Sequence, residues 1–293
     1  MITKSELDKL AEKYETKEFF YDDPIGIPNR FEDKNDKEII GFIASLVAYG
    51  RREIFIKKLN QLLEIAQNEP YNFIVNFEPK ILGDFNYRFG KPDDFAQIFN
   101  ILKDLYNSGS NLEELFKFGY ESTPHPYLTR HCTAHTSPTM PPSPTKNCCR
   151  RGKSLFLDIT PLPQVARDKN FNMFIPVTDY FYSRAKDNTA QGFKFMIPDA
   201  RKGSAMKRMC MYLRWMVRKG EVDFGIWNFM PPSELFIPLD THVARISREM
   251  GLLTRKSNDF EAVIELTENL KKFDEQDPVK YDFAIFGYGV NNR

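Results

Sequence analysis

An all-α fold follows from three observations. Apolar residues recur at three- and four-residue spacing along most of the chain. No stretch sustains the every-second-residue alternation of a half-buried strand, so no sheet of any size is expected. Capping and stop residues stand where the helical pattern begins and ends.

The elements follow in order. Residues 5–15 read as a short helix with Leu7, Leu10 and Ala11 on one side. YDDPIGIPNRF, residues 21–31, holds two Pro, one Gly and Asn29 and reads as an ordered loop. An apolar helix spans 36–49, with Gly50 as its stop. A second follows at 52–67, where Phe55, Leu59, Leu62, Leu63 and Ala66 share one face. Shorter helices fit 70–77, 92–106 and 111–117. Residues 166–187 suggest a helix, or two interrupted by Pro176. A strong helix spans 204–219. Asp240 is a good N-cap for a helix from Thr241 to Met250, closed by Gly251. Helices at 258–272 and 278–290 complete the chain. Three parts result: a helical part at 1–120, an irregular segment at 121–165, and a second helical part at 166–293.

The irregular segment stands apart. Residues 122–157 contain no acidic residue, and six Pro lie between Pro124 and Pro144. The same stretch holds His125, His131, His135, Cys132, Cys148 and Cys149. A natural disordered insertion and a shifted reading frame both produce such composition, and both predict a segment without order or function. Cys132 and His135 form a CxxH unit, but adjacent Cys148 and Cys149 are poorly spaced for zinc, so no metal is expected.

The bulk composition is that of a globular chain, with 42% hydrophobic and 28% charged residues and 26 Phe. A formal net charge of +1 excludes a polycation, so any nucleic-acid contact needs a local basic face. No run of 18 apolar residues is present, and the first twenty residues are charged rather than signal-like. A cytoplasmic location and a monomer are the default expectations.

In the helix at 204–219, Met206, Cys210, Leu213 and Val217 fall on one face and are expected in the core. Lys207, Met211, Arg214 and Arg218 fall on the neighbouring face, widened by Arg208, Trp215 and Lys219. Such a layout suits phosphate contacts, and small Gly203, Ser204 and Ala205 would let the helix start approach a phosphate. A solvated amphipathic helix has the same pattern. Asp240, before the next helix, would accept first-turn N–H bonds and sit at the positive helix end. A plain N-cap has that pattern too.

The run PLDTHVARI, residues 238–246, is similar to the segment around the catalytic Asp of the helix-hairpin-helix (HhH-GPD) DNA glycosylase superfamily. Across most of 15–120 and 200–290 the chain also resembles a bacterial DUF2400-type family of uncharacterised function. The runs DDPIGIPNRF, AYGRR, KGSAMKRMCMYLRWMVRK, VDFGIW and DPVKYDFAIFGYGV carry that likeness. The glycosylase resemblance implies a two-lobed helical fold with a cleft between lobes. It implies base-excision repair on double-stranded DNA holding a damaged base such as 8-oxoguanine, hence association with the nucleoid. Its chemistry uses a Lys that forms a Schiff base and an Asp that stabilises the sugar cation. Asp240 takes the second role. Endonuclease III-like members place the Lys in a Gly-rich hairpin less than twenty residues before the Asp, and no such hairpin stands here. Archaeal 8-oxoguanine glycosylases have a longer gap and a Lys near a helix start. Lys207, thirty-three residues before Asp240, looks like that arrangement, and Lys219 is its rival. Partial burial and the charges of Arg208 and Arg214 would favour a neutral, nucleophilic Lys207.

The remaining assignments share that basis. Gly203, Ser204, Arg208, Arg214, Arg218, Arg51, Arg52, His242 and Arg245 are candidate DNA contacts. Tyr49, Trp215 and Phe286 are candidates for a base pocket or a wedge, with Phe283 and Tyr288 beside them. Some superfamily members bind an iron–sulfur cluster through four Cys after the Asp. No Cys follows Cys210 here, so no cofactor is expected. A DNA-binding protein without chemistry is the alternative reading.

Overall fold

Helix α1 (Lys4–Tyr14) begins at a reciprocal cap. Glu6 N donates to Thr3 Oγ1 at 3.3 Å, and Thr3 N donates to Glu6 Oε2 at 2.8 Å. Its buried face, Leu7, Ala11 and Tyr14, lies against the last helix, α12 (Tyr281–Asn291). The computed structural model describes residues 2–18, 23–122 and 173–291, so the expectations for residues 123–172, the zinc question included, lie outside the described residues. The described residues are helical, with isolated bridges such as Tyr87 to Gly90 and no sheet.

Ten helices lie between those two. In the first part they are α2 (Lys34–Val47), α3 (Arg52–Ile65), α4 (Pro70–Val75), α5 (Pro92–Asn107) and α6 (Leu112–Glu121). In the second they are α7 (Phe174–Arg184), α8 (Gln191–Met196), α9 (Lys207–Val217), α10 (Thr241–Glu249) and α11 (Phe260–Lys271). Pro176 does not interrupt α7. It stands in the first turn, where its missing N–H costs no intrahelical bond. Helix α8, six residues long, is too short for a periodic signal and was not expected.

One hydrophobic cluster draws on both helical parts of the chain. Helix α2 packs on α9, α6 on α7, and α5 on α8. At the α2–α9 contact, Tyr212 donates its hydroxyl to Glu38 O at 3.0 Å. Glu38 itself is fully buried and accepts from Trp227 Nε1 at 2.9 Å and Tyr106 Oη at 3.0 Å. Every residue from Met209 to Val217 is buried. Helix α9 is therefore a central helix rather than a surface helix with one basic face, which corrects the amphipathic reading. Its arginines need internal partners for that reason. Its N-terminal half, from Lys207 to Arg214, borders a cavity through Lys207, Arg208, Met211 and Arg214.

Candidate functional site

The first turn of α9 is built by a tight approach. Gly203 adopts φ +70° and Met206 φ +49°, the latter a left-handed value that costs a side-chain-bearing residue of order 1 kcal/mol or more. The chain thereby turns sharply, and Lys207 becomes the first residue of α9. Ser204 bridges to Asp259, and Phe260 N donates to Gly203 O at 3.0 Å, which ties the turn to the start of α11. Gly203 to Ala205 thus precede the helix rather than form its N-terminus, a correction to the expected start at residue 204.

Asp240 caps α10. Its Oδ1 accepts from His242 N at 2.9 Å and Val243 N at 2.8 Å. These two donors and the helix dipole place a favourable potential at the carboxylate. Oδ2 points the other way and lies 3.8 Å from Lys207 Nζ. Both side chains are about one-third exposed, 31% and 35%, so this pair contributes at most about 1 kcal/mol to stability. Lys219 lies past the far end of α9, exposed, and does not line the cavity.

The cavity measures about 710 Å³. Lys207 and Asp240 line it together with Tyr49, Arg52, Phe195, Asp282, Phe283 and Phe286. Its volume falls within the usual range for a small-ligand site of mixed apolar and polar lining. Asp282, on α12, was not singled out from sequence, although an acid in the otherwise apolar run YDFAIFGYG was the available signal. Its side chain is 14% exposed and its Oδ2 accepts from Arg214 Nη1. Burial first, with the charge of Asp240, pushes this carboxyl up to about 6 against the pull of Arg214 and Lys207.

The arginines expected to touch phosphate are placed elsewhere. Arg214 is 4% exposed, with Nε 3.2 Å from Asp223 Oδ1 and Nη1 on Asp282. Arg218 is 5% exposed and holds Asp223 at 3.0 Å, Asp277 at 2.7 Å and Glu15 at 2.9 Å. Both are internal ion-pair residues, and a phosphate backbone does not reach them. Because Arg214 is paired twice, its charge is not free to act on Lys207. Arg208 donates to Leu46 O at 2.8 Å and to Phe195 O, closing the C-terminus of α2. Burial pushes its guanidinium down to about 10.

Other assignments divide in the same way. Trp215 is fully buried in the core and is no part of the pocket. His242 is turned toward α12, with its ring 5.8 Å from Phe286 and its Nε2 buried without a partner, so it faces away from solvent. Tyr49 lines the cavity but is tied down, donating to Tyr87 O at 3.2 Å, and its neighbour Gly50 adopts φ +86°. Burial pushes the Tyr49 phenol up to about 12. Arg52 stands 5.7 Å over the Phe286 ring at the cavity wall. Arg51 is exposed, and Arg245 is exposed and paired with Glu249 at 2.6 Å.

A family model described as "Protein of unknown function (DUF2400)" matches residues 23–291. The chain belongs to that family. The match runs through the turn before α9, the α10 cap and α12, and every residue that lines the cavity lies within it. Helix α1 lies before it. No curated protein and no solved structure matches the chain. Among the described residues no group of three or more His, Cys, Asp or Glu side chains is arranged to hold a metal ion. No helix of the described residues is long and apolar enough to cross a membrane. What the cavity offers is a primary amine facing a capped carboxylate, with a second, more buried carboxylate beside them.

Proposed function

We propose that this protein is a DNA glycosylase of the helix-hairpin-helix type that removes a damaged base, such as 8-oxoguanine, and forms a Schiff base through Lys207. The observation that carries the reading is the approach of Lys207 Nζ to Asp240 Oδ2, 3.8 Å, at the wall of a cavity of about 710 Å³. The likeness of PLDTHVARI to the superfamily's catalytic segment supplies the chemistry. A target base must leave the duplex to be reached. Once it is in the cavity, the Lys207 amine attacks the anomeric carbon and the Asp240 carboxylate stabilises the positive charge that develops on the sugar. The resulting imine permits strand cleavage by β-elimination. The two-lobed cleft of that superfamily and work on chromosomal DNA in the cytoplasm belong to the same proposal.

The test is trapping of a covalent protein–DNA adduct by borohydride on lesion-bearing duplexes, together with single-turnover base release. Lys207→Gln should abolish both. Asp240→Asn should slow base release by about 100-fold or more, since a neutral amide cannot match a carboxylate against a developing cation. Asn caps a helix nearly as well as Asp, so the fold survives and loss of activity is not loss of structure. Base release at the wild-type rate by both variants would remove the catalytic assignment and leave DNA binding without chemistry.

A further inference from the structure

We infer that Asp282 is the proton carrier of this site, taking a proton from the Lys207 ammonium and giving it to the nitrogen of the departing base. The inference rests on the glycosylase reading above and deepens it.

Asp23, Asp240 and Asp282 all line the cavity, and the two nearest the Lys207 amine in its electrostatics, Asp240 and Asp282, are built for different work. Asp240 has two backbone N–H donors on Oδ1 and stands at a helix N-terminus, a setting for a fixed negative charge. Asp282 stands in the first turn of α12 and, among the described residues, accepts from Arg214 rather than from backbone N–H groups. One oxygen is taken by Arg214, which leaves the other to the cavity. Arg214 is itself held by Asp223, and Asp223 by Arg218, so the carboxyl is anchored from behind. The charged groups around it are Arg214 and Lys207 from α9, Asp240 from the α10 cap, and Asp223 from the segment after α9, with Asp23 also at the cavity wall. Burial and the Asp240 charge bring this carboxyl up to about 6, where both protonation states are accessible near neutral pH.

The step balances. A Lys207 ammonium proton moves to the Asp282 carboxylate, leaving a lone pair on Nζ. That pair forms the bond to the anomeric carbon, the glycosidic C–N pair leaves with the base, and the Asp282 proton follows it to the base nitrogen. On DNA with a pre-formed abasic site the first half occurs alone. The amine adds to the aldehyde, water leaves, and cyanoborohydride reduces the imine by hydride transfer.

Abasic duplex DNA with cyanoborohydride is therefore the probe, since it needs no knowledge of the lesion. Wild-type trapping should rise with pH through about 6 and level off above it, as expected of a base that must be ionised. A rate that stays flat across that range overturns the proposal. Asp282→Asn should lower trapping near neutral pH by about 100-fold. Simple electrostatics predicts the opposite sign, because removing a negative charge beside an ammonium releases its proton more easily. Unchanged or faster trapping by Asp282→Asn therefore overturns the proposal as well. In Asp282→Ala, trapping should increase in proportion to added imidazole, which a merely structural role would not produce, and no response to imidazole counts against it. Should the variants fail to bind DNA, the wild-type pH profile decides alone. No adduct from the wild type at any pH would overturn the glycosylase reading itself, whereas adducts with unchanged Asp282 variants would overturn only the proton carrier.

Discussion

Arg214 has the appearance of a phosphate contact in sequence and is an internal ion-pair residue in the fold. Its guanidinium joins Asp223 and Asp282, and burial is outweighed by those two charges. Arg214→Ala would leave Asp282 buried without its cation and Asp223 with Arg218 alone, so a loss of about 3 kcal/mol in urea denaturation is expected. Normal stability combined with a weakened salt dependence of DNA binding would restore the phosphate role. Glu38 gives the pH prediction. Burial pushes its carboxyl up despite the Trp227 and Tyr106 donors. A raised carboxyl keeps its proton in the folded state after the unfolded chain has lost it. The stability this provides is full below the unfolded value and falls as pH rises toward the folded one. Glu38→Gln keeps an acceptor for Trp227 and removes the titration. As pH rises above the usual carboxylate range it should therefore lose less stability than the wild type, and parallel pH curves would refute this.

At the scale of elements, α12 is the helix on which the site depends. It supplies Asp282, Phe283 and Phe286 to the cavity and is backed by α1 and α10. Its contact with α1 is close because Gly287 has no side chain. A Cβ there would stand 2.2 Å from the Tyr14 ring. Gly287→Ala should therefore lower stability by about 1–3 kcal/mol. In a double-mutant cycle with Tyr14→Ala the two losses should be less than additive, because truncating the ring makes the room the methyl needs. Strict additivity would mean that the two helices are not held by this contact.

Across the whole molecule the formal charge is +1, so the proposed grip on a DNA duplex requires a local set of cations. With Arg214 and Arg218 internal and Arg208 bound to carbonyls, exposed cations beside the cavity include Arg51, next to cavity-lining Gly50 and Arg52, and Arg88, whose guanidinium lies against Gly50. Arg51→Ala should weaken duplex binding similarly for all sequences and reduce the slope of log affinity against log salt by about 1. A filter-binding salt titration measures it, and an unchanged slope would place the phosphate contacts elsewhere.

The helices were legible because the longer ones carry their own period, and some carry their own caps. Thr3, Asp33 and Asp240 announce helix starts through bonds made within a few residues. Lys207 and Asp240 were legible as a candidate pair through a local motif and a family likeness. What only the tertiary structure decided is which way each face looks. The pattern of α9 marks one apolar side, but the helix is covered on every side by neighbours distant in sequence. Arg214 and Arg218 could then persist only by meeting Asp223, Asp277, Asp282 and Glu15, partners between 5 and 203 residues away. Asp282 entered the site for the same reason. Local periodicity fixes where a helix turns, while the desolvation of a charge depends on everything packed around it, and that is a property of the assembled core alone.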